Sequence, residues 1–384
     1  MISRRRFLGG VAVGSAFASA PWLVGCKKGG SGEIVLGAIL GLSGQDSSLG
    51  VETKEGMEIA LEELNAAGGF KGKKIRVLYE DTRLDPNLAS EKIQKLIDRD
   101  RVLCVMGDAA STPTLSAAAY AEKAKVPLIS GSATNVEVTK NKKYVFRICF
   151  TDDKQGSAAA KFARDELKAN KAAIIYVTGN KYSEGLQAIF TRDFEKLGGK
   201  IVAKETFQAE ETNVLTFLSK IKDAGPDIIF APVYPSDVAK IGPTKLKVGL
   251  ESVPLLGTDG WDGPATRAKG VIESIEGCYF TDLFAAEGPN PRAKPFVEKY
   301  QKLHSKLPSS LAAGGYDVLK MVIDALGRAK AETPDAIRDA IEATKGFAGV
   351  TGTFDIDAEH NAQKPVTVMK ITGGDFKYHT QISV

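Results

Sequence analysis

Residues 102–135, VLCVMGDAASTPTLSAAAYAEKAKVPLISGSATN, decide the fold. Val102–Met106 is an apolar, β-branched run, followed by a helix predicted from about Pro113 to Lys125 and a second apolar run, Val126–Ser130. Strand–helix–strand with near-continuous apolar strands is the pattern of a parallel sheet covered on both faces. Each strand ends in a turn of small polar residues, Gly107–Pro113 and Ser130–Asn135. In open α/β sheets ligands lie outside such carboxyl ends. Ser111 or Thr112 is placed to cap the helix with Pro113 in its first turn, and the unpaired N–H groups and dipole there favour a carboxylate. Taken alone, this turn reads first as an ordinary helix cap. Two adjacent hydroxyl turns are the stronger signal.

The same rhythm extends outward. Strands are predicted at Ile34–Leu40 and Lys74–Glu80, with an amphipathic helix over Thr53–Ala67 and another opening at Pro86. It then restarts: strands at Lys171–Thr178, Lys200–Phe207, Asp227–Val233 and Pro254–Gly257 alternate with helices at Glu184–Leu197, Thr212–Asp223 and Ser236–Lys247. Two sets of βα units predict two doubly wound parallel-sheet lobes of α/β class. Three helices in succession, Pro291–His304, Leu311–Lys330 and Thr333–Thr344, do not continue the second sheet. They are expected to return to the first lobe, before strands resume in Gly349–Val384. This predicts crossings near Arg147–Thr151, Gly277–Leu283 and Gly349–Phe354, a three-strand hinge with a cleft between the lobes. The expected lobes are 34–148 with 281–349, and 149–280 with 350–384.

In the second lobe Tyr182, Tyr234 and Asp259 each follow a predicted strand. An aromatic at a strand end is more often edge packing than a ligand contact. Here, however, two tyrosines and a carboxylate face two hydroxyl turns. Anion site, cation site and apolar slot are together what an amino acid requires.

The ends read differently. Ser3–Leu8 is SRRRFL, the pattern of a twin-arginine export signal. An uncharged run, Gly9–Val24, is shorter than the ~20 apolar residues of a membrane span and closes on Leu23-Val24-Gly25-Cys26. That string resembles the lipobox of a bacterial lipoprotein, so 1–25 is expected to be removed and Cys26 acylated. Residues 26–33 would then be a tether. Loss of Arg4, Arg5 and Arg6 leaves 48 basic residues against 47 acidic ones. So balanced a surface argues against nucleic acid.

Chemistry of other kinds lacks its residues. The three histidines, His304, His360 and His379, have no metal-ligand spacing, and there is no P-loop, G-x-S-x-G or dinucleotide fingerprint. No enzyme, cofactor or metal is expected. Cys104, Cys149 and Cys278 sit in apolar contexts, where buried thiols are the usual outcome. Cys149 and Cys278 both fall on predicted hinge strands, so a bridge between them is the sharper alternative.

Several landmarks recur in order along the chain: Leu42-Ser43-Gly44 with Leu49-Gly50, Asn65-Ala66-Ala67-Gly68-Gly69, Asp85-Pro86, and Val126–Ser130 with Ala133-Thr134. Tyr182-Ser183-Glu184-Gly185 and Gly257-Thr258-Asp259-Gly260 follow. In these the mature chain resembles the leucine/isoleucine/valine-type substrate-binding proteins of ABC transporters, which have the type I periplasmic-binding architecture. The resemblance implies a monomer that captures an amino acid and delivers it to a permease. A sensor on the same fold, or a receptor for an amide or other small carboxylate, is the alternative. It implies that Ser111 binds the ligand carboxylate, that Ser132 offers a carbonyl beside Ala133, and that Thr134 meets both ends of the head group. Asp259 would take the ammonium and Tyr182 and Tyr234 would close over it, with Thr112, Leu49 and Trp261 as further contacts. Arg83 and Ala109–Ala110 stand where the family has a first-lobe disulfide, and Asp259 stands where branched-chain receptors often have glutamate.

Overall fold

The computed structural model describes residues 32–383. The first lobe is a five-stranded, all-parallel sheet. In chain order its elements are β1 (Ile34–Leu40), α1 (Ser48–Ala66), β2 (Ile75–Asp81), α2 (Pro86–Gln94), β3 (Val105–Gly107), α3 (Ser111–Ala124), β4 (Leu128–Ser130) and β5 (Val145–Arg147). The strand order is β2-β1-β3-β4-β5. Alternation along β1 divides its side chains between two cores. Leu36, Ala38 and Leu40 pack with Met57 and Ala60 of α1, whereas Ile39 packs with Ile93 of α2 and Ala117 of α3.

The chain then enters the second lobe through a helix that the sequence pattern did not reveal, α4 (Asp152–Asp165). There follow β6 (Lys171–Val177), α5 (Lys181–Lys196), β7 (Lys200–Phe207), α6 (Leu215–Ala224), β8 (Ile228–Phe230), α7 (Pro235–Lys247), β9 (Leu255–Gly257) and β10 (Tyr279–Asp282). Helices α8 (Ala293–His304), α9 (Ser310–Arg328) and α10 (Pro334–Glu342) come next, then the strands β11 (Phe347–Gly349), β12 (Gly352–Phe354), β13 (Val366–Thr372) and β14 (Asp375–Ile382). The second sheet runs β14-β13-β10-β9-β8-β6-β7, parallel from β7 to β10 and antiparallel at β13 and β14.

Helix α9 packs on the first sheet: Val318, Leu319 and Val322 share a core with Ile34 and Met57. It approaches α1 closely enough that a Cβ on Gly56 would lie 1.8 Å from the Ala312 carbonyl, and one on Gly315 would lie 2.0 Å from that of Thr53. Glycine on both helices is what lets the backbones meet.

The third passage between lobes falls later than the sequence placed it. Phe354, Ile356 and Ala362 still belong to the first core, so the chain returns to the second sheet between Ala362 and Val366. The cause is the small β11–β12 hairpin, which packs on the first lobe before the chain crosses. The three connections meet in one cluster of Cys149, Phe150, Leu283 and Val366.

Cys149 and Cys278 are not bridged. All three described cysteines are free and buried. Cys278 precedes β10 at the end away from the connection, in the second-lobe core, where its Sγ accepts the Leu255 N–H at 3.2 Å. Burial pushes the Cys104 and Cys149 thiols up to about 12, as expected of inert groups.

Candidate functional site

The turn after β3 opens α3 with Ala110 at the cap position, and Ala110 has no oxygen with which to cap. The expected Ser111 and Thr112 caps do not form. The Ser111 hydroxyl instead accepts the Asn135 N–H at 3.2 Å, and Thr112 Oγ1 accepts the Lys181 N–H at 3.1 Å from the other lobe. The start of α3 therefore has no side-chain cap, which suits an incoming carboxylate.

The turn after β4 is tied to the first. Ser132 Oγ donates to the Ala109 carbonyl at 2.9 Å, and Ser130 Oγ donates to that of Asp108 at 2.8 Å. Ser130 Oγ also accepts the Ala133 N–H at 2.9 Å. Arg147, fully buried, donates to the Ala133 carbonyl at 2.9 Å and so fixes the turn from behind. Thr134 is buried, with its carbonyl accepting the Asp152 N–H at 2.8 Å and its Oγ1 without a partner.

Across the cleft, Asp259 sits in the turn after β9. Its Oδ1 accepts from Gln155 Nε2 at 2.7 Å and from the Tyr182 hydroxyl at 2.8 Å. A phenol has one proton. Tyr182 therefore donates to Asp259 and accepts from Thr258 Oγ1 at 2.6 Å and from the Gly260 N–H at 2.8 Å. Tyr234 stacks on Tyr182, ring centroids 5.1 Å apart and 6° from parallel. Burial raises the Asp259 carboxyl to about 6, against the lowering effect of Gln155 and Tyr182. Asp108, behind the first turn and hydrogen-bonded to Thr82, is likewise raised to about 6 by burial.

The apolar contact is more extensive than the sequence indicated. Leu49 clusters with Ala109 and Leu311 of the first lobe, and Leu84 and Tyr234 pack against them. Leu311, at the start of α9, escaped notice because its helix lies far along the chain from Leu49, Leu84 and Ala109. Trp261 does not join this cluster. It is 0 % exposed in the second-lobe core, stacked on Phe280, with Nε1 donating to the Ala231 carbonyl at 2.9 Å. The short turn after β9 sends consecutive side chains in different directions, and Trp261 is turned inward.

Gln155 and Asp152 were also missed, since both lie on α4. Their signal was Thr151-Asp152-Asp153, a cap-like residue followed by two acids where a helix N-terminus favours them.

The lips of the cleft are joined. Ser236 N–H and Oγ donate to Asp46 Oδ1 and Oδ2 at 2.9 and 2.7 Å, Asn135 Nδ2 donates to the Lys181 carbonyl at 2.6 Å, and the Ser310 N–H donates to Asp262 Oδ2 at 2.7 Å. Every one of these bonds runs between lobes, so the structure is a closed one. A cavity of about 460 Å³ remains at the lip, lined by Arg83, Thr112 and Pro113 on one side and Asn180, Gln208 and Tyr234 on the other. Among the described residues no group of acids, histidines and cysteines is placed to hold a metal, and no helix is long and apolar enough to cross a membrane.

This architecture has known counterparts. The family model described as periplasmic binding protein matches residues 33–375. The leucine-binding protein LivK of Thermotoga maritima is 31 % identical, with a TM-score of 0.86 over 91 % of this chain and 98 % of its own. The branched-chain amino acid transporter substrate-binding protein LivJ of Streptococcus pneumoniae, solved with isoleucine, is 32 % identical at a TM-score of 0.86, over 91 % and 99 %. A Leu/Ile/Val-binding protein homologue of Brucella abortus is 27 % identical over 368 residues, 91 % of each chain.

Proposed function

We propose, from the premise that this chain belongs to the periplasmic binding protein family, that it is an extracytoplasmic lipoprotein which captures an amino acid between its lobes and delivers it to an ABC transporter permease. The observation that carries the amino-acid reading is the polarity of the cleft. One side offers an uncapped helix start with Ser111, and the other presents the buried carboxylate of Asp259. A simple carboxylate would satisfy the first and leave the second uncompensated, whereas a zwitterion satisfies both. The Leu49–Leu311 cluster with Tyr234 suits an apolar side chain.

In this reading Ser111, Ser132, Ala133 and Thr134 hold the head group, with Thr112 at the rim. Tyr182, Tyr234 and Asp259 approach when the lobes close about the three connections. Ligand contacts both lobes only in the closed form, so binding shifts the population toward it. Charge-assisted hydrogen bonds contribute ~1.5–3 kcal/mol each, and micromolar affinity needs about 8 kcal/mol, so a few such bonds suffice after desolvation. Nothing in this mechanism makes or breaks a covalent bond. Cys26, the proposed lipidation site, lies outside the described residues; Cys26→Ser is expected to release the protein from membranes, and continued membrane fractionation would refute lipid anchoring there.

The test is thermal unfolding of the purified protein against a panel of L-amino acids, with 4-methylpentanoate and benzoate as ammonium-free controls. At least one amino acid is expected to raise Tm, with little response to the controls. A shift with a control and none with any amino acid would overturn the ligand assignment.

A further inference from the structure

The β11–β12 hairpin, which keeps the chain on the first lobe past Gly349, also builds a cavity at the hinge. It measures about 250 Å³ and has walls from both lobes. Arg292 and the hairpin turn, 350–353, line it from the first lobe, Thr367 of β13 and Tyr378 of β14 from the second, and Leu283 and Pro365 from two of the connections. None of these residues belongs to the cleft described above.

The first-lobe wall is held in place by its own side chains. The buried Asp317 of α9 has its acceptors committed to the hairpin. Its Oδ1 takes the Val350 N–H at 2.8 Å, and its Oδ2 takes the Thr351 N–H at 2.8 Å and the Thr351 hydroxyl at 2.6 Å. Asn290 Nδ2 donates to the Gly349 and Val350 carbonyls at 3.1 and 2.7 Å, which ties the segment before α8 to the same turn. A wall so anchored needs no ligand to order it.

Two cations stand against this wall, and among the described residues neither has a carboxylate partner. Lys364 is 9 % exposed; its ammonium donates to Thr351 Oγ1 and lies over the Phe354 ring, 4.2 Å from the centroid. A hydroxyl has one proton. Thr351 gives it to Asp317, so Lys364 meets that acid only through Thr351. Burial lowers Lys364 to about 8, while Asp317 and the buried Cys149 pull the other way. The exposed Arg292 donates to Thr353 Oγ1 and to the Gly349 carbonyl at 3.5 Å.

An ammonium has three donors, and a buried one is unfavourable unless they are met. Lys364 makes one hydrogen bond. The cavity thus joins an under-satisfied buried ammonium to the fork of an arginine, a donor set that recognises oxyanions. Its volume, below the ~300–1,000 Å³ of ordinary ligand pockets, suits a compact group.

We propose that this hinge cavity is a second binding site, which takes a small oxyanion, a carboxylate or phosphate group, on Lys364 and Arg292, with the Tyr378 hydroxyl reaching it from the other lobe. The site stands apart from the reading of the cleft, since no cleft residue lines it. An anion that touches both walls binds the closed arrangement better than an open one, so its occupancy favours closure.

The test is calorimetric titration of the full chain with sodium phosphate and, separately, sodium succinate, in chloride buffer of matched ionic strength. At least one is expected to bind with a dissociation constant of about 1 mM or tighter, and the one that binds identifies the oxyanion. Arg292→Gln should weaken that binding at least about fivefold, Lys364→Met at least about tenfold, and Tyr378→Phe about two- to fivefold. Absence of binding by both anions overturns the site. So does binding that stays within twofold of wild type in both Arg292→Gln and Lys364→Met, which would place the anion in the cleft. An unchanged constant in Tyr378→Phe overturns the bridge between lobes and with it the link to closure. Should Lys364→Met fail to fold, the exposed Arg292→Gln decides the site alone.

Discussion

In the first lobe the cleft face is made of neutral hydroxyl residues on two adjacent turns; in the second it is a carboxylate held by an amide and a phenol. The first set is locked to its own backbone: Ser111 to Asn135, Ser132 to Ala109, and Ser130 to Asp108. The second is held by side chains drawn from α4, α5 and the turn after β9. Backbone-anchored hydroxyls make a site that changes little on opening. A network of side chains from several elements makes one whose charge depends on every member being in place. On the proposed amino-acid reading, the lobes divide the work between a fixed receptor for the carboxylate end and a charge-bearing face for the ammonium end.

Breaking the second face should have the larger effect. Asp259→Ala removes the acceptor for both Gln155 and Tyr182, and a lost charge-assisted bond is worth ~1.5–3 kcal/mol, so affinity is expected to fall about 10- to 100-fold in calorimetric titration. Ligand-free stability should change little, since an unfavourably buried charge departs with the bonds. An unchanged dissociation constant would mean that the network has no part in holding the ligand.

The charge difference between the faces should also appear as a pH dependence. Burial raises Asp259 from 3.8 to about 6 and raises Asp152 well above its ordinary value. For Asp259 the stability contribution is fully present below about pH 4 and is lost as pH rises through about 6, and the Asp152 shift acts in the same direction. These groups therefore make the ligand-free protein relatively more stable as pH falls from 7 to 5. An ammonium needs the ionised acid, so affinity runs the other way, weakening by about tenfold over the same interval for one proton. Their neighbours Gln155, Tyr182 and Tyr234 keep their protonation state throughout this range. Flat affinity between pH 5 and 7 would mean that no buried acid pairs with the ligand.

The two faces were also unequally legible. Ser111, Ser132 and Thr134 lie in the turns after predicted strands, so local pattern alone nominated them. Of the second face, Tyr182, Tyr234 and Asp259 were proposed by the same rule, and the structure brings the three together. Asp152 and Gln155 were not, because α4 begins Asp152-Asp153-Lys154-Gln155-Gly156 and shows its apolar face only from Ala158 onward. Such a polar first turn reads as connection. The β11–β12 hairpin misled in a similar way: strand-like sequence after Gly349 suggested the second sheet, whereas Phe354 and Ile356 belong to the first core. Sheets and helices follow from local periodicity, but which lobe a short strand joins is decided by long-range packing.

A smaller effect separates contact from scaffolding on the first face. Ser111→Ala removes a neutral hydroxyl bonded to the Asn135 N–H at 3.2 Å. Neutral bonds contribute about 1 kcal/mol, so a two- to tenfold loss of affinity is expected. An effect as large as that of Asp259→Ala would erase the distinction between the faces.

The smallest effect on affinity is expected at Trp261, which the sequence placed beside Asp259 and the structure places in the core. Trp261→Phe keeps most of the apolar volume but leaves the Ala231 carbonyl without its 2.9 Å donor and opens space against Gly257, where a Cβ would lie 2.2 Å from the indole ring. An unsatisfied buried group costs about 1–3 kcal/mol, so the thermal midpoint should fall by several degrees. Ligand affinity, measured well below that midpoint, should stay within about twofold of wild type, because the indole is buried in the second-lobe core against Phe280. A large loss of affinity without a change in midpoint would return Trp261 to the ligand slot and show that the turn after β9 presents both its acid and its aromatic to the cleft.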